Sequence, residues 1–556
     1  MNPHLVQDAG PAGSAGTTGR ATADEAFAYL REARRGHRVQ RRRDTAFHVY
    51  VVLLFGAMYL LPFGAIAYGA AGSPREPWAS YARDALPFAG CTVALVWLRI
   101  VVGDARWRGP VLLDGATATW LLPAPIDRGR LLRPRLRRAV LAHGAGAGLL
   151  TAVAVYFLNL VMLGRPTAGI GLAAAAAAAF GALCAGAAGL IVCRDAVDHA
   201  RRAATGLTAL AGAALLCTVA RAPSALEPVF LWSGPWGWVT QCLAAASGNP
   251  PAGWPVGAAL LLASAVWAVV RADRDVAALP AGVLLRRIRS ATSVSAAVVT
   301  VDFRLARLAV QQAGPSRSRS RLPALPPPRR PWLIVPWRTA AGWLAGPSQP
   351  GWAAVWLAVA YTAVTVASAA RDAERVAATL VALAAGYGAA AQLVEAARLD
   401  GDDVNRSRTL PWTFPSVVLR HALLPVAALA VAGAGACALV AVLGRPLLPA
   451  LLLACCFPAL VAGALVSACR GRLPHELLIG AETAMGNTAV LQVAVWYLRG
   501  PLAACVVLFP FLTFGFHLGT GGAALVRGLA LGCGLLLGTA GLTAWAGFRA
   551  WSHVRR

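Results

Sequence analysis

Lysine is absent from this chain: all 51 of its lysine-plus-arginine residues are arginine. That absence excludes several chemistries at once. A Walker A loop needs a lysine on the nucleotide phosphates, a protein kinase needs its strand lysine, and Schiff-base catalysis needs an amine. Any ATP-driven step therefore belongs to another subunit, and no enzymatic activity is expected of this chain. Charge is scarce as well, at 13% of residues, so a soluble surface of the usual kind cannot be assembled. The eleven cysteines include no CxxC pair and fall mostly within apolar runs, where they read as small hydrophobes. Histidines do not recur at metal-ligand spacing. "PHELLIGAE" lacks the second histidine of a zinc-protease helix, so neither a metal nor a cofactor is expected.

What remains is apolar. Of 556 residues, 58% are hydrophobic, the mean hydropathy is +0.60, and runs of about 20 apolar residues recur from end to end. This predicts an all-α polytopic protein of the lipid bilayer. The net charge of +27 sits between the apolar runs, which argues for membrane topology and against nucleic acid. The first 46 residues are polar and end in "RRGHRVQRRRD", with no short apolar core and cleavage site, so the first run is expected to be an uncleaved anchor. Thr22 and Glu25 stand in capping-box spacing, and a short interfacial helix is expected there.

About twelve spans are expected. They cover residues 47–72, 85–103, 139–163, 168–193, 203–220 and 256–271, then 351–370, 376–397, 422–443, 447–469, 488–515 and 523–547. Arg499, Gly500 and Pro501 fall inside the eleventh, which predicts a break or a helix that starts only at Pro501. With the N-terminus inside, most arginines fall in cytoplasmic segments, so both termini are expected in the cytoplasm and the protein in the cell membrane. Four regions follow: a basic tail at 1–46, a six-span half at 47–271, a cytoplasmic linker at 272–350 and a second six-span half at 351–556. The linker combines "LLRRIRSATSVSAAVVTV", read as an amphipathic helix, with a Ser/Arg- and Pro-rich stretch that cannot form a core. "PWRTAAGWLAGP" then suits an interfacial helix.

The halves share three short matches in the same order. Leu122-Pro123 in "WLLPAPIDR" corresponds to Leu410-Pro411 in "SRTLPWTFPS". "LGRP" at 163–166 recurs at 443–446, and Cys193-Arg194 corresponds to Cys469-Arg470. Shared order and shared membrane side predict a parallel duplication. Small residues, Gly144 and Gly148 in span three and the alanines 173–179 in span four, are expected to pack helix on helix.

The segment "LLPAPIDRGRLL" after span two of a six-span unit resembles those of permease subunits of ABC-type exporters. That resemblance implies a pair of six-span permeases joined in one chain. It also implies a leucine-proline step leading into a short coupling helix that docks on a separate ATPase subunit, which uses the ATP. On the residues, Pro123 and Pro125 turn the chain, Asp127 caps a helix from Arg128, and Leu131, Leu132 and Leu136 share one face. The second copy contributes Leu410, Pro411, Trp412 and Pro415 and lacks an Asp-Arg pair matching Asp127 and Arg128. Arg194 and Arg470 close the two fourth spans at the same face. The exported substrate is not legible.

A major-facilitator type of proton-coupled transporter is the alternative, with Arg99, Gln392 and Glu395 as its few intramembrane polar candidates. A non-transporting scaffold is a third. Asp400, Asp402 and Asp403 in "RLDGDDVNR" form a DxD arrangement that holds Mg²⁺ in other settings, but a solvated, capped end of span eight is the expected reading. Asp195, Asp198 and His199 in "RDAVDHARR" are expected to make local i,i+3 and i,i+4 pairs or to touch the coupling partner.

Overall fold

The computed structural model describes residues 76–554 apart from 114, 122–126, 163–168, 221–223, 300–304, 307–308, 311–325, 327, 347, 370–371, 443, 445, 472, 475, 484–485 and 519–521. The N-terminal tail, the first expected span, the first "LGRP" and much of the Pro-rich linker lie outside the described residues. The protein is an all-α, multi-pass membrane protein: among the described residues ten helices are long and apolar enough to cross a membrane.

In chain order the helices are α1 (Glu76–Ala105), α2 (Gly115–Leu121), α3 (Arg128–Met162), α4 (Ile170–Cys193), α5 (Val197–Ala220), α6 (Glu227–Trp232), α7 (Pro235–Ala246), α8 (Trp254–Asp275) and α9 (Ala281–Val299). Beyond the linker come α10 (Ile334–Ala345), α11 (Ser348–Ala369), α12 (Asp372–Leu393), α13 (Glu395–Asp402), α14 (Phe414–Arg420), α15 (Leu423–Val442), α16 (Leu447–Cys455), α17 (Phe457–Ala468), α18 (Glu476–Ile479), α19 (Ala489–Gly515) and α20 (Gly522–Val554). Among the described residues a two-residue antiparallel pair, β1 (Glu482–Thr483) with β2 (Gly486–Asn487), is also present.

The chain forms two compact units that do not follow the sequence halves. One comprises 76–84, 104–197 and 241–295 among its described residues; the other takes in 85–103, 198–240 and everything from 296 onward. In the first unit α3, α4 and α8 pack side by side. The α3–α4 contact is made by the small residues expected: a Cβ on Gly144 would lie 3.1 Å from the Ala178 carbonyl oxygen, and one on Gly148 3.0 Å from that of Ala174. Without side chains at these points the backbones approach closely, the geometry that substitutes for hydrophobic drive between helices in lipid. At one end of this unit Leu132, Leu136, Val276, Leu279 and Leu284 form a compact apolar cluster.

In the second unit α17 lies at the centre against α12, α19 and α20, with Phe457, Leu460 and Leu465 at 1% exposure. Tyr361 and Phe457 meet edge to face at 6.4 Å. The tenth expected span is two helices, α16 and α17, interrupted at Cys456. Pro458, which has no N–H to donate to the preceding turn, sits just past the interruption.

One expectation is corrected: the eleventh span neither breaks nor starts at Pro501, since α19 runs unbroken from Ala489 to Gly515 with Pro501 and Pro510 inside it. The fifth expected span, 203–220, falls within the helix α5.

Candidate functional site

The expected coupling turn begins where α2 ends, and Leu122, Pro123 and Pro125 lie outside the described residues. Beyond them Asp127 Oδ1 accepts a hydrogen bond from the Gly129 backbone N–H at 2.8 Å, satisfying one of the orphan donors of the helix start. The helix that follows is not a short separate piece. α3 is one helix of 35 residues with Pro134 near its start, so the arginine segment and the span form a single rod. Leu131, Leu132 and Leu136 are 6%, 0% and 0% exposed. Leu131 is thus part of the unit's own core, and the outer face of this segment consists of Asp127, Arg130, Arg133, Pro134, Arg137 and Arg138.

Several of these arginines close the C-terminal end of α8. Arg128 Nη1 donates to the Leu279 carbonyl at 3.2 Å, Arg133 Nε to that of Asp273 at 3.2 Å, and Arg137 grips the Asp273 carboxylate through two bonds of 2.9 Å. Cations and donors at a helix C-terminus meet its unpaired carbonyls and complement its dipole. Arg194 approaches Asp275 at 3.9 Å, and Arg271 pairs with the same carboxylate at 3.2 Å.

Asp195 does not make the local pairs expected of "RDAVDHARR". It occupies a left-handed conformation with φ 46, and its carboxylate takes two hydrogen bonds from Arg286 Nη2, at 3.1 and 2.9 Å. Arg287 stands 3.8 Å away with its side chain 3% exposed. Burial pushes the Arg287 guanidinium down from its ordinary value while Asp195 pulls it back up; an arginine so placed remains charged.

The second copy is built differently. The Leu410 N–H donates to the Ser407 carbonyl at 3.0 Å, Pro411 is exposed, and Arg420 stacks on the Trp412 ring with 3.8 Å to its centroid. Pro415 sits in the first turn of α14, which Thr413 precedes and which ends after seven residues at His421. Here the helical run Phe414–Val442 is interrupted by a turn at His421–Ala422.

Beneath that turn lies a buried polar cluster. Asp400, at 2% exposure, accepts from Arg338 at 3.1 Å, Ser407 at 2.8 Å and His421 Nε2 at 3.2 Å. Thr339 Oγ1 is 2.9 Å from His421 Nδ1. Burial pushes the Asp400 carboxyl up, but the His421 and Ser407 bonds and the Arg338 charge outweigh it and hold it below the ordinary carboxylate value. Asp400 is therefore not the solvated end of a span. Its neighbours do not complete a DxD site: Asp402 and Asp403 are exposed, and Asp403 Oδ1 instead accepts from the Asn405 N–H at 3.1 Å. Of the intramembrane candidates, Glu395 is 3% exposed and pairs with Arg398 at 2.8 Å, while Arg99 donates to Thr208 at 3.1 Å.

Arg470 lies past the end of α17. Its Nη1 donates to the Tyr497 carbonyl at 2.7 Å, and its guanidinium lies 5.0 Å from the Trp496 centroid and 4.9 Å from that of Tyr497.

The structure thus brings Asp127, Arg128, Leu131 and Arg194 to one end of the first unit. It also places Leu410, Trp412 and Pro415 beside the Asp400 cluster in the second. Arg338, Thr339, Ser407 and His421 carry no periodicity or motif, and their contacts span up to 82 positions, so no local signal pointed to them.

A family model described as a family of unknown function (DUF6297) matches residues 79–477. This chain belongs to that family. No curated protein matches it, and no solved structure does.

Proposed function

We propose that this member of a family of unknown function is the membrane-spanning permease component of an ABC-type exporter, driven by ATP hydrolysis in a separate ATPase subunit. The observation that carries the reading is that the arginine segment from Arg128 and the third expected span are one helix. A helix of 35 residues is about 52 Å long, against a hydrocarbon core of about 30 Å. Its arginine-bearing first turns therefore extend beyond the bilayer as a lever. Leu131, Leu132 and Leu136 pin that lever to the unit's core, so force applied to Asp127, Arg130 and Arg138 is delivered to the span rather than dissipated in a hinge. Both termini are then cytoplasmic, and the cell membrane is its place.

The parallel duplication is supported by burial. The third expected span of each half is 17% buried and the second 44%, and among the described candidate spans the fourth is the most buried in either half, at 56% and 78%. The fourth spans also end alike, at Cys193 and at the capping Cys469. Coupling through the second copy rests on α14 and the stacked Trp412–Arg420 pair, where a turn at His421–Ala422 interrupts the helical run.

The test is isolation of the full chain from its native membrane in mild detergent. An ATPase subunit should co-purify, and the charge reversal Arg138→Glu, at an exposed position, should weaken its association without lowering thermal stability. Recovery of the folded chain with no ATPase, or with one that the reversal does not disturb, would overturn the reading.

One observation favours the proton-coupled alternative: the buried Thr339–His421–Asp400 chain has the groups of a proton site. That reading differs in its outcome, since transport would collapse with the proton gradient and persist when ATP is depleted.

A further inference from the structure

The sequence "RRIR" at 286–289 on α9 places three arginines in four positions, and the structure uses two of them internally. Arg286 is held by Asp195, and Arg287 is buried against Asp195 and the Ala105 carbonyl. Arg289 is different: it is exposed and makes no ion pair among the described residues. It stands at the rim of a cavity of about 720 Å³ between α2 and α9, a volume in the range of small-ligand sites. Leu285, Ile288 and Ala118 form its apolar floor. Thr119 and Thr292 stand at its edge, and each already donates its hydroxyl hydrogen to a helix carbonyl, at 2.8 and 2.9 Å. The groove therefore offers one cation and an apolar bed, with its hydroxyl protons already committed.

Position adds a second argument. α9 starts at Ala281, directly after the candidate span Trp254–Ala278 and a Leu279-Pro280 turn, so the helix carrying Leu285 and Arg289 begins where a candidate span ends. A ligand there must bring an anion and a hydrocarbon portion together, and the leaflet itself presents that combination.

We infer that the α2–α9 groove is a binding site for an anionic phospholipid, with the phosphodiester on Arg289 and an acyl chain over Leu285, Ile288 and Ala118. One arginine near an anionic surface contributes attraction worth about a fivefold change in occupancy. The site is independent of whether an ATPase drives the protein.

The experiment uses the full chain in vesicles of phosphatidylcholine with one-fifth phosphatidylglycerol carrying a photoactivatable acyl chain. Cross-linked peptides should map to residues 115–119 and 285–293. Arg289→Gln should lower that labelling about fivefold, whereas Arg202→Gln, another exposed arginine, should leave it unchanged. Gly115→Leu provides a second variant that leaves the cation in place. A Cβ at Gly115 meets nothing within 4 Å, so the added side chain is tolerated and should obstruct the groove. Three outcomes overturn the proposal: equal labelling by photoactivatable phosphatidylcholine, which makes the groove merely apolar; displacement of the label by millimolar inorganic phosphate, which makes the free anion the ligand; and labelling indifferent to both variants, which leaves the groove to a protein partner.

Discussion

Arg470 Nη1 donates 2.7 Å to the carbonyl oxygen of Tyr497, and that carbonyl is the one Pro501 leaves without its helical donor. An α-helix pairs each N–H with the carbonyl four residues back, and proline at 501 has none to give. The guanidinium replaces the missing bond from outside the helix, which is how α19 passes through Arg499-Gly500-Pro501 unbroken.

Arg470→Ala should therefore destabilise the protein by about 2 kcal/mol, the range for a hydrogen bond to a charged donor. In the background of Pro501→Ala, which restores the backbone N–H, the same substitution should cost much less. Thermal denaturation of the four proteins in detergent closes the cycle; equal losses in both backgrounds would mean that Arg470 acts elsewhere.

Gly500→Ala places a Cβ 2.1 Å from Ser467 Oγ and 2.7 Å from the Gly463 carbonyl oxygen. Ser467 is itself held by the Tyr387 hydroxyl at 2.7 Å, so it cannot simply rotate away. Overpacking of this kind costs about 1–3 kcal/mol. Gly532→Ala, with open space at its Cβ, should be neutral or slightly stabilising in the same melt.

The Asp400 cluster predicts an acid-labile fold. Because the folded-state carboxyl lies below its ordinary value, its ionised form stabilises the protein fully above the unfolded value near pH 3.9. That contribution is lost as pH falls through the folded value. Asp400→Asn should be less stable than the parent at pH 6, by about 3 kcal/mol for a buried pair stripped of one partner. Below pH 4 the two melting curves should converge, and parallel curves down to pH 3 would refute the assignment.

Asp195 combines a left-handed backbone with two arginine partners, and the two roles separate by substitution. Asp195→Asn retains a residue that tolerates positive φ but loses the charge opposite Arg287. Asp195→Gly relieves the backbone and loses the same charge, and Asp195→Ala loses both. The expected order of stability is parent, then Asn and Gly, then Ala, with the alanine penalty about 1 kcal/mol beyond glycine. Urea denaturation reads the order directly.

The sequence made the membrane helices legible because apolar runs longer than a bilayer have one stable form in lipid. It also marked Gly144, Gly148 and the alanines of α4 as packing residues, and the structure brings them face to face. Asp127 as the start of a helix was readable from the prolines before it and the leucine spacing after it. The fate of the arginines was not. Arg128, Arg133 and Arg137 are committed to the end of α8, and Arg470 to a carbonyl in α19.

By itself the sequence determined the class of protein and the chemistries a lysine-free chain cannot perform. Those properties follow from composition and from runs of residues adjacent in the chain. The tertiary structure decided which charges are spent and which remain: Asp400 buried with Arg338 and His421, Asp195 held by Arg286, Arg289 left at an apolar groove. Each of these is an encounter between residues tens of positions apart, and no local pattern encodes the pairing of one arginine among 51 with a particular carboxylate.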